Sequence, residues 1–185
     1  TEPWEIGFPR ILDRMDLATL RGVRDRAIIL VGFAGGFRRG ELAAVNVGDV
    51  EWDDRGVRIV IPRSKSDQEG EGYRKTIPFG DRRETCPVSA LRAWLDRSGI
   101  RQGRVFRPIR KNDKVWGERV QPAVIAKVVS DRAEAAGLFV DPEGRQTWSG
   151  HSLRRGFATD AVEAGAPAHK IRAQGGWRGA VPVQY

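Results

Sequence analysis

The spacing of apolar residues changes along the chain, and this change constrains the fold more than any other feature. Residues 23–34 (VRDRAIILVGFA) carry apolar side chains at helical spacing, and a glycine pair separates them from a second helical pattern, RRGELAAV. Residues 57–61 (VRIVI) instead alternate and are β-branched, and a second strand pattern, YRKTIPF, follows the polar residues 62–72. We therefore expect two helices that meet at a glycine turn, followed by a β-hairpin with a long tip.

The second half of the chain is dominated by helical patterns with clear end signals. Residues 86–99 and 121–137 each have a proline near the start, Pro87 and Pro122, and a glycine past the end, Gly99 and Gly137. No internal repeat, low-complexity tract or change of composition marks a domain boundary. The predicted fold class is mixed α+β and mainly helical, with a small antiparallel β-hairpin or sheet, in a single domain over residues 1–185.

Several classes of protein are excluded by what the sequence lacks. Cys86 is the only cysteine, so the chain cannot contain an internal disulfide framework. No run approaches the ~20 apolar residues of a membrane span, and the first ten residues lack the order of a signal peptide. Phosphate-loop, HExxH and Cys/His motifs are absent, and the adjacent Asp53 and Asp54 look like a turn before Gly56. We expect a cytoplasmic protein without membrane contact, cofactor or metal.

The positive charge of the chain is concentrated in its second part. The net charge is +8, with 26 Arg and 6 Lys among the basic residues. Residues 1–100 hold 17 basic and 16 acidic residues, whereas residues 101–185 hold 15 and 8. This excess indicates a polyanion partner, or it reflects the base composition of the genome, and charge alone does not decide between them.

The stretch GHSLRRGFATDA places His151, Arg154 and Arg155 at the start of a predicted helix, where the helix macrodipole disfavours cations. Either these residues form a polar face in water, with Leu153 and its apolar neighbours turned inward, or they face an anion that the sequence does not contain. Arg38 in GFRRGEL is a second candidate for binding an anion, because the carboxylate of Glu41, at i+3, can hold its guanidinium in a fixed direction. Taken alone, this pair is also what an ordinary surface ion pair looks like.

Taken in chain order, GFRRGEL, RSKSDQEG, HSLRRGFAT and GGWRGAVPVQY resemble the tyrosine recombinase family, the phage integrases and related site-specific recombinases. The catalytic domain of this family carries Arg, Lys, His-x-x-Arg, His or Trp, and a nucleophilic Tyr in that order. The resemblance extends from about Asp16 to Tyr185. It implies the tyrosine recombinase catalytic-domain fold and cutting and rejoining of DNA through a 3′-phosphotyrosyl intermediate, without metal or ATP.

The resemblance also implies a set of catalytic residues: Arg38, Lys65, His151, Arg154, Trp177 and Tyr185. Arg38 and Arg154 would bind the scissile phosphate, because a guanidinium offers a planar fork to two phosphate oxygens. His151 would add a hydrogen bond or a proton-transfer group. Lys65 would protonate the leaving 5′-oxygen, and Tyr185 would attack phosphorus.

Glu41 completes the expected site beside these six residues, and two features depart from the family pattern. Glu41 would hold Arg38, and Trp177 would donate an indole N–H without exchanging a proton. The spacing from Trp177 to Tyr185 is one residue shorter than is usual in the family, so the position of Tyr185 is less firmly assigned than that of Arg154. The separate N-terminal DNA-clamp domain is also absent from this sequence.

Three activities are compatible with this resemblance. The first is a site-specific recombinase that acts as a homotetramer on synapsed sites in double-stranded DNA, with the isolated domain monomeric. The second is a type IB topoisomerase-like enzyme that relaxes DNA. The third is a catalytically inactive DNA-binding module of the same fold. All three predict double-stranded DNA as the partner, in a protein encoded by a bacterium, a phage or another mobile element.

Overall fold

A computed structural model describes residues 3–61, 72–138, 148–177 and 179. These residues form seven α-helices, a short 3₁₀ turn at Val47–Asp49 and three strands. The helices are α1 (Pro3–Asp13), α2 (Leu20–Ala34), α3 (Arg39–Ala44), α4 (Pro87–Ser98), α5 (Pro122–Ala135), α6 (Ser152–Glu163) and α7 (Ala168–Gly175). The strands are β1 (Val50–Asp53), β2 (Gly56–Ile61) and β3 (Tyr73–Pro78). No helix in the described part of the chain is long and apolar enough to span a membrane.

Proline and glycine fix the ends of two helices as the sequence predicts. Helix α4 begins at Pro87 and is followed by Gly99 with a φ of 70°. Helix α5 begins at Pro122, and Gly137 follows its end with a φ of 71°. Proline suits the first helical position because that N–H needs no helical partner, and glycine accepts the left-handed conformation that ends a helix. Both predicted helices are confirmed.

Helix α2 is the central element of the core. It packs against α4, α5 and α6, and most of its residues are buried, including Ile28 and Ile29. A helix that has neighbours on several sides needs apolar residues on several faces. The helix predicted from the apolar spacing is confirmed, and it is buried nearly all round.

A buried ion cluster joins α2 to α5. The carboxylate of Asp25 accepts hydrogen bonds from Nε and Nη2 of Arg24 at 2.9 and 2.7 Å and from Nε and Nη2 of Arg132 at 2.9 and 2.6 Å. The side chains of Arg24 and Asp25 are only 4% and 5% exposed. Each arginine donates two N–H groups to one oxygen of the carboxylate, and hydrogen bonds between charged groups are stronger than neutral ones, so this cluster ties α2 to α5.

The first turn of α2 is capped by a residue far along the chain. The carboxylate of Asp113 accepts hydrogen bonds from the backbone N–H groups of Leu20 and Arg21 at 2.6 and 3.0 Å. Thr19 Oγ1 accepts a third bond, from the N–H of Gly22, at 3.0 Å. Three of the four N–H groups that a helix start leaves without partners are thereby satisfied.

The three strands form one antiparallel sheet in the order β1-β2-β3. The pairing of the two predicted hairpin strands is confirmed, with Ile59 opposite Lys75 and Val57 opposite Ile77, and the predicted tip lies largely outside the described residues. Strand β1 was not expected from the sequence. The turn after it matches the prediction, since Asp53 Oδ1 accepts hydrogen bonds from the backbone N–H groups of Arg55 and Gly56. Lys75 lies on the buried face of β3, and α7 packs against this strand.

Candidate active site

The turn between α2 and α3 places the first of the predicted phosphate-binding residues. Gly36 has a φ of 55°, and a Cβ there would lie 2.7 Å from the ring of Phe157, so both backbone and space favour glycine. Arg38 then precedes the first turn of α3 in an extended conformation. Its Nη1 donates to Glu41 Oε1 at 2.5 Å, and its backbone N–H donates to Glu41 Oε2 at 2.9 Å. The prediction that Glu41 holds Arg38 agrees with these contacts.

The carboxylate of Glu41 also joins Arg38 to β3. Tyr73 donates its hydroxyl proton to Glu41 Oε1 at 2.6 Å, and Lys75 Nζ lies 3.8 Å from Glu41 Oε2. Burial acts to raise the pKa of Glu41, but the charge of Lys75 and the hydrogen bonds from Tyr73 and Arg38 outweigh it and lower the pKa. Burial and the bond to Glu41 raise the pKa of Tyr73. Glu41 is therefore an ionised acceptor, and Tyr73 remains a neutral donor.

Arg154 approaches the same turn from α6. Its Nη1 donates to Gly36 O at 2.9 Å and also to Gly175 O, and the residue is buried. Its guanidinium lies 3.9 Å from the centre of the Trp177 ring, a cation–π contact. Burial, with repulsion from Arg38, lowers the pKa of Arg154 to about 10. The residue still carries its charge at neutral pH.

Three cations meet the C-terminal end of α7. Lys75 Nζ donates to the carbonyl oxygen of Gln174 at 2.6 Å. Arg154 donates to the carbonyl oxygen of Gly175, and Arg38 Nη2 donates to that of Gly176 at 3.1 Å. The last carbonyls of a helix lack helical partners and form the negative end of its macrodipole. The arginine near the start of α6 is thus compensated within the chain, by oxygens that carry partial negative charge.

Lys75 lies at the centre of this cluster. Its Nζ donates to Gly35 O at 2.7 Å and to Gly36 O at 3.3 Å, in addition to the bond to residue 174, and the residue is 0% exposed. Burial and, to a lesser extent, the charges of Arg154 and Arg38 together lower the pKa of Lys75 to about 7, against the opposing attraction of Glu41. The three cations face the carboxylate of Glu41, which balances one of their charges. The cluster can therefore attract an anion.

The structure brings four of the predicted residues into one site: Arg38, Glu41, Arg154 and Trp177. His151 precedes the first residue of α6 and is exposed. Lys65 and Tyr185 lie outside the described residues. The ring of Trp177 is also stacked on Phe157, with centres 6.5 Å apart and planes at 7°.

Sequence reasoning gave no structural role to Lys75 or Tyr73, although both contact Glu41. For Lys75 a signal exists, because strand alternation puts residues 75 and 77 on one face, and Ile77 is an obvious core residue. A lysine on the inward face of a strand needs partners. Tyr73 begins the strand, and its sequence carries no comparable signal.

The chain is similar to known proteins along most of its length. The model of the phage integrase family matches residues 8–184. An integrase/recombinase xerD homolog of Selenomonas ruminantium is 38% identical over 164 residues, which cover 89% of this chain and 47% of that protein. The tyrosine recombinase XerC of Myxococcus xanthus is 29% identical over 169 residues, or 88% of this chain and 49% of the relative. The chain therefore spans about half the length of these curated relatives.

Solved structures of recombinases have the same fold. The crystal structure of XerA recombinase aligns with a TM-score of 0.69 at 21% identity, over 95% of this chain and 54% of that one. The pre-cleavage complex of XerH site-specific recombinase with its difH substrate aligns with a TM-score of 0.67 at 19% identity, over 94% and 45% of the two chains. The mainly helical fold with a small antiparallel sheet is thus the tyrosine recombinase catalytic-domain fold, as the motifs predicted. The family match, the curated relatives and the fold together establish that this chain belongs to the phage integrase family.

Proposed function

We propose that this chain is the catalytic domain of a site-specific recombinase, an enzyme that cuts and rejoins double-stranded DNA through a 3′-phosphotyrosyl intermediate. The observation that carries the proposal is the convergence of Arg38 and Arg154, 116 positions apart in sequence, on adjacent carbonyl oxygens at the end of α7. Two guanidinium groups directed at neighbouring oxygens offer the contacts that a phosphodiester needs.

The two arginines act as the phosphate-binding groups of the reaction. The negative charge on the non-bridging oxygens shifts as phosphorus becomes five-coordinate, and fixed cations stabilise it without reorganising. Glu41 keeps Arg38 in place by accepting two hydrogen bonds, one from Nη1 of Arg38 and one from the backbone N–H of Arg38. The ring of Trp177 lies 3.9 Å from the guanidinium of Arg154 and restricts its orientation, and the indole N–H of Trp177 is a donor that cannot transfer a proton.

The remaining roles concern proton transfer and bond exchange. Tyr185 attacks phosphorus through its phenolic oxygen and loses its proton, while the bond from phosphorus to the 5′-oxygen breaks. Lys65 gives a proton to that leaving oxygen, so one end of the cut strand carries a 3′-phosphotyrosyl link and the other end carries a free 5′-hydroxyl. His151 supplies a hydrogen bond or a proton-transfer group near neutral pH. Rejoining reverses these steps on a new 5′-hydroxyl, and because the phosphoester bond is conserved, ATP is not needed.

The proposal is tested by trapping the covalent complex. The full-length protein is incubated with flanking genomic DNA that carries a nick close to the cleavage site, so that the short fragment with the new 5′-hydroxyl diffuses away after cleavage. We expect a protein–DNA adduct that survives denaturation, and Tyr185→Phe should abolish the adduct while retaining DNA binding, because only the reacting oxygen is removed. An adduct that forms with Tyr185→Phe would show that another group is the nucleophile.

Mass analysis of the adduct can identify which tyrosine of this chain is the nucleophile. Its two tyrosines are Tyr73 and Tyr185, and Tyr73 donates its hydroxyl to Glu41. Digestion of the adduct and mass analysis of the peptide that carries the nucleotide therefore distinguishes them directly. Absence of any adduct with the unmodified protein would favour an inactive DNA-binding module of the same fold.

A second assay separates recombination from relaxation. A supercoiled plasmid with two copies of the target site should yield recombinant products from the full-length protein. A plasmid without a site should remain supercoiled. Relaxation of both plasmids without recombinant products would instead support a type IB topoisomerase-like activity.

A further inference from the structure

We propose that Lys75 is a positioning residue, which keeps the C-terminal end of α7 attached to the turn between α2 and α3 while Arg38 and Arg154 bind the phosphate. This role rests on the proposed function, because it presupposes a phosphate that engages the two arginines. It differs from proton donation, which would require Lys75 to reach the leaving oxygen.

The contacts of Lys75 join two separate parts of the fold. Its Nζ donates to Gly35 O at 2.7 Å and to Gly36 O at 3.3 Å on one side, and to Gln174 O at 2.6 Å on the other. A protonated amine has three N–H donors, and these three carbonyls take all of them. The lysine therefore links the turn after α2 to the end of α7 as a single bridging group.

Its surroundings keep Lys75 away from DNA. The residue is 0% exposed, and its Nζ lies 4.8 Å from the ring centre of Phe37 and 5.2 Å from that of Tyr73. Glu41 Oε2 lies 3.8 Å away. A leaving oxygen could accept a proton from Lys75 only if a carbonyl gave up its bond, which would leave a buried polar group without a partner.

Arg38 is more exposed than Lys75, Arg154 is buried at 7% exposure, and both arginines keep unused N–H donors. The side chain of Arg38 is 36% exposed, and each guanidinium has five N–H donors, of which the contacts to α7 use one in each arginine. A phosphate that accepts hydrogen bonds from the two guanidinium groups competes for these donors with the carbonyl oxygens of residues 175 and 176. The carbonyl of residue 174 is held by the buried lysine and faces no such competition. Lys75 is therefore the group that retains α7 when the phosphate is bound.

The side chain of Gln174 strengthens the same attachment. Its Oε1 accepts from the N–H of Thr76 at 3.1 Å, and its Nε2 donates to Thr76 O at 2.8 Å and to Ala34 O at 3.2 Å. The end of α7 is thus fixed to β3 and to the end of α2. Trp177 follows this point by three residues and lies on Arg154, so the attachment also sets where that ring sits.

The first test uses the protein without DNA. Lys75→Met removes the donors and keeps an unbranched side chain, and Lys75→Gln is made beside it because its amide retains two N–H donors and tolerates burial better. We expect hydrogen exchange of the amides of Gly176 and Trp177, which bond within α7, to become about tenfold faster, because a hydrogen bond from a charged group is lost at the helix end. Amides in the middle of α4 should not change.

Lys127→Met is the matched control. Lys127 is an exposed lysine on α5 that pairs with Asp131, so its replacement removes a positive charge without touching α7. We expect wild-type exchange at Gly176 and Trp177 in this variant. Wild-type exchange in both Lys75 variants as well would overturn the proposal.

The second test measures cleavage of two substrates by the full-length protein. One has the natural 5′-bridging oxygen, and the other has sulphur there, which leaves without a proton donor. A misplaced site slows both reactions, and we expect Lys75→Met and Lys75→Gln to be about 10- to 100-fold slower on both substrates. Recovery to the wild-type rate on the sulphur substrate would identify Lys75 as a proton donor and overturn the positioning role.

The two tests fail separately from the proposed function. If the unmodified protein forms no covalent adduct, the recombinase assignment fails, while the exchange measurement without DNA still decides whether Lys75 holds α7. If the unmodified protein cleaves DNA and the Lys75 variants match it in exchange and in rate, the positioning role alone is refuted.

Discussion

Replacing Asp25 should destabilise the protein more than its single carboxylate suggests. Asp25 accepts four hydrogen bonds from Arg24 and Arg132. In Asp25→Ala, the guanidinium of Arg24 remains in a site where its side chain is 4% exposed. One other contact of this group is to Arg107 O, at 3.4 Å. The variant therefore leaves a buried charge without a counter-charge.

The magnitude follows from that uncompensated charge. Removing one partner of a buried ion pair costs about 3–5 kcal/mol in free energy of unfolding. For a chain of this length, each kcal/mol lowers the melting temperature by about 2–4 °C, so we expect a decrease of about 10 °C. Urea unfolding at neutral pH measures the free energy, and a thermal scan measures the midpoint.

The matched control is on the same helix as Arg132. Asp131 pairs with Lys127 at 2.7 Å, but the two side chains are 53% and 73% exposed. Asp131→Ala should cost no more than about 0.5 kcal/mol, because water and salt screen such a pair. If Asp25→Ala costs less than about 1 kcal/mol, or no more than the control, Arg24 is solvated after all and the reasoning fails.

Three further predictions concern charge and pH. Binding to duplex DNA should weaken with salt with a log–log slope of about −0.9 per phosphate contacted, and Arg154→Ala should make the slope shallower by about one contact; a slope near zero in fluorescence anisotropy would contradict this. The pKa of Lys75 falls from 10.5 in the unfolded chain to about 7 in the folded protein, so between these values the unfolded chain binds more protons and stability rises with pH. The free energy of unfolding, relative to Lys75→Gln, should increase there by at most about 1.4 kcal/mol per pH unit, and a decrease in urea titrations would show that the sign is wrong. Lys65→Ala should cleave a substrate with 5′-bridging sulphur at close to the wild-type rate, while Arg154→Ala stays ~10²–10³ slower on both substrates; failure of sulphur to rescue Lys65→Ala would exclude it as the proton donor.

Much of the fold could be predicted because its signals are local. Prolines and glycines mark the ends of α4 and α5, and β-branched alternation marks β2. The elements that were missed have weak local signals. Strand β1 is four residues long with two acidic residues, and α7 buries only Ile171 and Gly175. Strand β1 forms because it pairs with β2, and α7 forms because it packs against β3. Such tertiary partners cannot be read from a single sequence.

The site was predictable in its residues and less so in its contacts. The order of the motifs indicates Arg38 and Arg154 as parts of one site, and in the structure they meet at the end of α7. The motif GHSLRRGFATDA predicts either a polar face in water or a compensating anion outside the chain. Backbone carbonyls cannot be identified from it, because every residue has one and only the tertiary arrangement directs three of them at the cations. The strand pattern places Lys75 on the hairpin. Its burial depends on the contact with α7, and the sequence does not indicate that contact.

The cap on α2 has a consequence for the order of folding. Asp113 adopts a φ of 58° and reaches the first N–H groups of a helix more than ninety positions earlier in the chain. A contact of such long range forms late, since the chain must first close a large loop. The central helix therefore acquires its complete first turn only after the segment around residue 113 has docked. Its N-terminal turn and that segment should gain and lose protection together, as one cooperative unit.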